Sequence, residues 1–396
     1  MRIILIHSYY QQPGGEDVVF EAEKKILKDA GHQVFTYSIS NKLLDKENWL
    51  KIICKLFWNH QTYKKLRGLI SKVRPDIAHF HNIFPLMSPS VYYACAAEKI
   101  PVVQSLHNPR LMCPAGSFYK AGGLLLCTKC LGKAFAWPGI YYKCYHNSYL
   151  QTAGLASMVF FHRLIGTWQN RVTLYIIFTD FYKKLFIQGG IPANKIVIKS
   201  HSIQPDPGRR ITNGQYALFV GRLDPEKGIK TLINAWEKID SHHAKYLLLI
   251  RGDGRLKSEL VEFIKKKHIH SVRFINRLNS KELMDLIKKS CFLVWPSKGY
   301  FETFGLAAAE AFACGVPVIA AKTGVLKNFI THGQTGLHFR PGDAIDLASK
   351  IEWLFLHPEK CIEMGKNARK IFQEKYTSEK NLAKLIHIYK RAIHEN

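Results

Sequence analysis

The sequence is short of acid and lacks the features of a membrane-spanning or disulfide-stapled chain. Thirty Asp plus Glu stand against 57 Lys plus Arg, leaving a formal charge of +27 over 396 residues. Residues 1–205 hold 25 basic and 10 acidic side chains and residues 206–396 hold 32 and 20, so both halves carry the surplus (+15 and +12). Such a balance implies an anionic partner: nucleic acid, acidic lipid or a phosphorylated substrate. Ile3–Ile6 is only four apolar residues before polar and Gly-rich sequence, which reads as a buried strand, so no secretory leader is expected. Cys144–His162 is free of Lys, Arg, Asp and Glu, but Asn147, Ser148, Gln151, Thr152 and two His make it too polar to span a bilayer. Nine cysteines are an odd count, and without a leader the expected compartment is the reducing cytoplasm. No internal repeat or low-complexity segment occurs. With 47% apolar residues the length suits two full-sized domains.

Along the chain, strands alternate with helices. In the first half Ile3–Ile6, Gln33–Tyr37, Ile77–Phe80 and Val102–Leu106 read as strands, and Asp17–Asp29 as an amphipathic helix stopped by Gly31. Residues 201–214 are rich in turn formers and read as a linker. The alternation then restarts, with strands at Tyr216–Val220, Tyr246–Ile250, Val272–Ile275, Phe292–Trp295 and Val316–Ala320. Helices are expected at Gly228–Ile239, Leu256–Lys267, Ser280–Lys289 and Phe304–Ala313, and three more from Ala344 to about His394. This is the pattern of doubly wound parallel sheets. Two stretches are less regular: Lys42–Val73, Lys-rich with Trp49, Phe57, Trp58 and Tyr63, and Leu150–Trp168, apolar at helical spacing.

The sharpest chemical signal is the segment from Phe301 to Val318, with Glu302 and Glu310 eight residues apart. Thr303 is expected to cap a helix starting at Phe304, setting free N–H groups and the positive dipole end beside Glu302. Gly305 would let a phosphate approach, with Leu306 in the first turn. Glu310, inside an Ala-rich helix, needs hydrogen-bond donors such as sugar hydroxyls. Arg222 and Lys227, on the loop Gly221–Gly228, can jointly neutralise a diphosphate. Gly252 and Gly254 follow a strand and open a helix. Gly14 and Gly15, then Glu16, follow the first strand, and His107 with Asn108 stands at the tip of another, where parallel sheets bind ligands. His81 and Asn82 end a third strand on the same side.

These motifs resemble the retaining glycosyltransferases of family four. The resemblance covers most of the chain and is strongest over residues 216–343, where Glu302, Glu310 and Cys314-Gly-Val-Pro-Val-Ile319 match the paired-glutamate motif. It implies the α/β fold called GT-B: two Rossmann-like domains facing across a cleft, residues 1–205 on the acceptor side and 206–375 holding the nucleotide sugar. A C-terminal helix, 376–396, would cross back to the first domain. It further implies a UDP- or GDP-sugar donor, with Glu302 facing the donor sugar, Glu310 on the ribose, Arg277 near the base and His107 in the active site. Glu16, His81, Asn82 and Asn108 fall on the acceptor side. The chain has no Asp-x-Asp, so no catalytic metal is expected. Cys113, Cys127, Cys130 and Cys144, separated by thirteen, two and thirteen residues in an insertion over about 107–170, depart from the family pattern and could hold a structural zinc.

The function expected is transfer of a sugar, with retained configuration, from a nucleotide sugar to a saccharide or lipid-linked acceptor in surface polysaccharide synthesis. The two irregular basic stretches suggest an anionic membrane surface as partner, and so a peripheral place on the inner face of the plasma membrane. Two other readings are a sugar-nucleotide epimerase or phosphorylase on the same fold, and a basic nucleic-acid-binding protein. No nucleic-acid module appears in the sequence, so no nucleic acid is expected as partner.

Overall fold

The computed structural model describes every residue except 12–13, 47–48, 120–125, 212, 241–245, 299–301 and 396. It divides into two compact units. One comprises Met1–Phe118, Thr128–His201 and Glu379–Asn396; the other comprises Tyr119–Cys127 and Ser202–Ser378.

In the first unit, β1 (Arg2–Tyr9), β2 (Gln33–Ser40), β3 (Ile77–Phe80), β4 (Val102–Ser105), β5 (Leu174–Ile177) and β6 (Ile196–Ile198) form one sheet in the order β2-β1-β3-β4-β5-β6. Every pairing is parallel. Parallel sheets are covered on both faces, and Ile3–Ile6, Ile77, Ala78 and Leu174–Ile177 are accordingly inaccessible to solvent. Each large apolar side chain buried in this way contributes about 1.5–3 kcal/mol before entropy is counted. β5 and β6 were not expected from the sequence. Leu174–Ile177 continues the apolar pattern of the helix before it, and β6 is only three residues long.

In the second unit β7 (Tyr216–Val220), β8 (Leu248–Arg251), β9 (Val272–Ile275), β10 (Ser290–Trp295), β11 (Val318–Ala321) and β12 (Gly336–Phe339) are ordered β12-β11-β10-β7-β8-β9, again all parallel. Tyr216–Val220 and Val272–Ile275 keep the bounds expected from sequence; β8 starts two residues later than expected and ends at Arg251.

Each sheet reverses its strand order once, between β1 and β3 and between β7 and β10. Ligands of open α/β sheets bind beyond the carboxyl ends of strands at such a reversal. The fold therefore singles out two places: the loops after Tyr9 and Phe80, and the loops after Val220 and Trp295.

The basic stretch forms helices Trp49–Phe57 and His60–Val73, the second capped by Asn59, whose side chain accepts from the Thr62 N–H at 3.1 Å. Leu150–Trp168 is not one helix: Tyr149–Leu164 ends before Gly166, whose φ of 69° breaks the run, and Thr167–Asn170 adds one turn. Helix Ser378–His394 belongs, from Glu379 onward, to the first unit. There the Asn381 amide donates to the Ser200 carbonyl at 2.5 Å and Arg391 donates to the Asn194 carbonyl at 3.0 Å. Among the described residues no helix is long and apolar enough to cross a membrane.

Candidate functional site

At the second unit's reversal, β7 runs into Gly221-Arg222-Leu223-Asp224, then one 3-10 turn, Pro225–Lys227, then Gly228. Gly228 has a φ of 70°, and a Cβ there would stand 1.9 Å from the Pro296 carbonyl oxygen, so only glycine lets this loop lie against the end of β10. Lys227 then reaches Glu302, Nζ to Oε2 2.6 Å, with both side chains largely buried. The Arg222 guanidinium is held by Asp224 (2.6 Å) and Glu226 (3.1 Å). Two expected donor-site residues thus meet directly, and the third is oriented by acids that the motif alone did not single out.

The helix after Glu302 starts at Leu306, not at Phe304, and Thr303 does not cap it. Gly305 is the cap, at φ 99°, and no side chain closes the turn. The left-handed backbone at Gly305 stops the helix from extending two residues toward Glu302. A Cβ on Gly305 would overlap the Trp295 ring at 2.0 Å, which is what fixes glycine there. Phe301 lies outside the described residues; Phe304 is buried, edge-on to Phe329 and Tyr376.

Glu310 sits four residues into Leu306–Ala313. Burial pushes its carboxyl up to about 7, and Arg251, at the end of β8, is the one cation pulling it back. Arg251 is a residue the motif reading passed over. Its Nε is buried without a partner among the described residues. A carboxyl raised by burial and a nearby guanidinium with an open Nε–H are suited to polar ligand atoms. Gly252 and Gly254 serve the loop itself: a Cβ on Gly252 would stand 1.9 Å from the Gly221 carbonyl oxygen, and one on Gly254 would strike the Leu223 backbone. Arg277 is exposed beyond β9.

Glu310 sets a pH signature. An acid whose pKa stands at about 7 in the fold and 4.5 in the unfolded chain is destabilising when ionised, so its cost is absent below 4.5 and grows up to about 7. Glu310→Gln should therefore unfold at a higher temperature than wild type at pH 8 and match it at pH 4.5. Melting curves across that range check this; parallel curves would contradict it.

At the first unit's reversal, Gly14 precedes helix Gly15–Asp29 and its N–H donates to Asp17 at 2.9 Å. Asp17 also binds the His7 ring at 2.7 Å. Glu16 accepts from the Tyr10 hydroxyl at 2.6 Å; its other oxygen is buried with no partner among the described residues. Burial pushes this carboxyl up to about 8, against the pull of the Tyr10 hydroxyl and Arg110. Asn108 accepts from the Arg110 N–H at 3.2 Å, and the Asn82 amide donates to the Ser8 carbonyl at 2.9 Å.

Behind these lies a histidine cluster. His107 Nε2 is 3.0 Å from His81 Nδ1, the His81 ring contacts His79, and His107 stacks on His201 at 5.6 Å. Glu23, from Gly15–Asp29, forms a buried ion pair with Lys199 and approaches His81 Nε2 at 3.3 Å. His79 is held between the Tyr389 hydroxyl (2.7 Å) and Ser105 (2.9 Å). Burial keeps all four histidines below their usual pKa, and His201 is lowered to about 3. Burial would raise Glu23, but Lys199 first and then His81 hold it well below the usual carboxylate range.

Among the described residues the group whose ligand atoms converge closely enough for one ion is Glu23, His79 and His81, not the cysteines. The Lys199 ammonium already neutralises Glu23 and Tyr389 engages His79 Nδ1, while Glu23 Oε2 and His81 Nε2 are buried without a hydrogen-bond partner among the described residues. Cys113 and Cys130 are buried and Cys127 and Cys144 half-buried, with residues 120–125 between the first two cysteines outside the described residues.

Residues 203–371 match the family model for glycosyl transferases group 1. An uncharacterized glycosyltransferase of Methanocaldococcus jannaschii is 24% identical over 96% of this chain and 95% of its own. The D-rhamnosyltransferase WbpZ of Pseudomonas aeruginosa is 30% identical over 41% of this chain, an alignment that spans 42% of WbpZ. Among solved structures, the sucrose-phosphate synthase of Thermosynechococcus elongatus superposes with a TM-score of 0.72 at 18% identity over the whole of both chains. Anabaena HepE in complex with UDP-glucose superposes at 0.69 and 17% identity, over 99% of this chain and all of its own. These superpositions identify the two-domain α/β architecture as GT-B. The match to the group 1 glycosyltransferases lies in the second unit.

Proposed function

We propose that the protein transfers a sugar, with retention of configuration, from a nucleoside diphosphate donor to a saccharide or lipid-linked saccharide in surface polysaccharide synthesis. The observation that carries the reading is the Lys227–Glu302 pair at the β7/β10 reversal; Glu310, its carboxyl raised by burial, and Arg251, its Nε without a partner among the described residues, support it. A bound diphosphate would compete for Lys227, releasing Glu302 to accept from hydroxyls of the donor sugar. Glu310 takes the ribose, and Arg222 joins Lys227 on the diphosphate. As the bond from the anomeric carbon to the phosphate oxygen breaks, charge grows on that oxygen, where preorganised cations act most strongly. The acceptor oxygen bonds to the same face of the anomeric carbon, and its proton passes to the departing phosphate. His107, Asn108, Glu16, His81 and Asn82 serve the acceptor side.

A melting screen of UDP- and GDP-sugars tests this. The true donor should raise the melting temperature of wild type and fail to do so for Glu302→Ala combined with Lys227→Ala. No shift with any nucleotide sugar would sink the reading. Free nucleoside diphosphate formed only in the presence of acceptor separates transfer from epimerisation.

An anionic membrane surface is part of the proposal. Residues 99–179 contain eight Lys and Arg and no Asp or Glu. Trp137, Tyr141, Tyr149, Leu150 and Leu164 are exposed within that segment. Lys143 lies over the Tyr149 ring at 4.5 Å and Lys133 over Trp137 at 5.7 Å. Exposed aromatics among lysines suit the headgroup region, at about 1 kcal/mol per basic residue. Flotation with phosphatidylserine vesicles should carry the protein at low salt and release it at high salt. Equal recovery with neutral vesicles would contradict this part.

A further inference from the structure

The mechanism above uses His107 on the acceptor side but gives Glu23 and Lys199 no role and does not say how His81, buried behind His107, serves that side. Glu23 has 4% of its surface exposed, His81 2% and Lys199 1%, a costly set of polar groups to bury for packing alone. With His107 they are brought together from four separate places: the helix after β1, the ends of β3 and β4, and the residue following β6.

Each contact constrains the next proton. The Glu23 carboxylate, neutralised by Lys199 on one oxygen, can only accept. Its other oxygen, Oε2, and His81 Nε2 are both buried without a formed hydrogen bond among the described residues, and they lie 3.3 Å apart, each the nearest complement the other has. The His81 proton therefore belongs on Nε2, facing Glu23, and its Nδ1 is an acceptor. His81 Nδ1 is 3.0 Å from His107 Nε2, so His107 must donate from Nε2. The lone pair of His107 is then on Nδ1, a nitrogen with no hydrogen-bond partner among the described residues.

We propose that Glu23 and His81 are positioning residues that fix the tautomer of His107, presenting its Nδ1 as a hydrogen-bond acceptor for a substrate hydroxyl. This rests on the reading of His107 as a residue of the transfer reaction. Which ring nitrogen carries the proton is set by the bond the other makes, and two linked rings ending on a carboxylate leave one arrangement. Lys199 keeps Glu23 ionised, and therefore accepting, in a site where burial would otherwise protonate it.

The test uses the full chain labelled with 15N-imidazole, the His107 signal being assigned by its loss in His107→Asn. Wild type should carry the His107 proton wholly on Nε2. His81→Leu should give a mixture of tautomers and lower kcat about 100-fold, with KM for the donor found in the melting screen changed less than about twofold. His81→Gln, whose amide oxygen can accept from His107 and whose NH2 can donate to Glu23, should restore both readouts. The folded pair variant Glu23→Gln with Lys199→Met should resemble His81→Leu. A proton on Nδ1 in wild type, or the same tautomer ratio in wild type and His81→Leu, would overturn the relay. Wild-type turnover in His107→Ala would instead remove His107 from the reaction, and with it the purpose assigned to the relay, whatever the tautomer.

Discussion

Lys227→Ala should lower kcat/KM for the nucleotide sugar by about 10²–10³-fold, the usual cost of deleting one preorganised group that stabilises a leaving oxyanion. The ammonium is anchored on a short turn between two fixed points. Gly228 is wedged against Pro296, and Glu302 holds Nζ at 2.6 Å. Most of the loss should appear in kcat, because the charge Lys227 meets grows as the phosphate departs. Glu302→Ala should also impair turnover. Since the two side chains contact each other, the double variant should lose less than the product of the single effects. Steady-state kinetics on the three variants decide the matter. A loss below about threefold in Lys227→Ala would remove the residue from the reaction.

Lys199→Met should be the most damaging single change to the fold, costing about 3–5 kcal/mol, because it leaves the Glu23 carboxylate buried without its cation. Adding Glu23→Gln should recover most of that loss, since the second change removes the stranded charge. Urea unfolding of the single and double variants measures both numbers. Equal midpoints for wild type and Lys199→Met would show that the pair is not desolvated in solution. The same cluster predicts acid lability. Four histidines with lowered pKa stay neutral in the fold while the unfolded chain takes up protons, so their contribution is lost as pH falls below about 6.5. Glu23, also lowered, adds a loss below its ordinary value of 4.5.

The candidate donor site is legible in the sequence because its parts are contiguous. Gly221–Gly228 and Glu302–Glu310 are short runs in which residue type and spacing carry the chemistry. Even there the helix starts two residues later than the sequence suggests: a threonine ahead of an apolar run reads as a cap, and the left-handed turn at Gly305 follows from the Trp295 ring, which no local pattern reveals. Arg251 carries no signal of its own in the sequence, since it closes β8 just before a Gly-x-Gly turn. The buried relay was not readable. Glu23 stands in Glu21-Ala-Glu-Lys-Lys25, a run that looks like a solvated helix face, and its cation lies 176 residues away. Tyr389 reaches His79 across 310 residues. Strand alternation gave the sheets, while β5, β6 and β12 were too short or too continuous with their neighbours to stand out.

Calorimetric titration of UDP and of GDP into wild type, Lys227→Ala and Glu310→Gln tests the central claim most directly. One nucleotide should bind wild type, and each variant should bind it at least about tenfold more weakly, a difference of about 1.4 kcal/mol. Affinity unchanged in both variants, or no binding of either nucleotide to wild type, would contradict the assignment of the donor to the β7/β10 reversal.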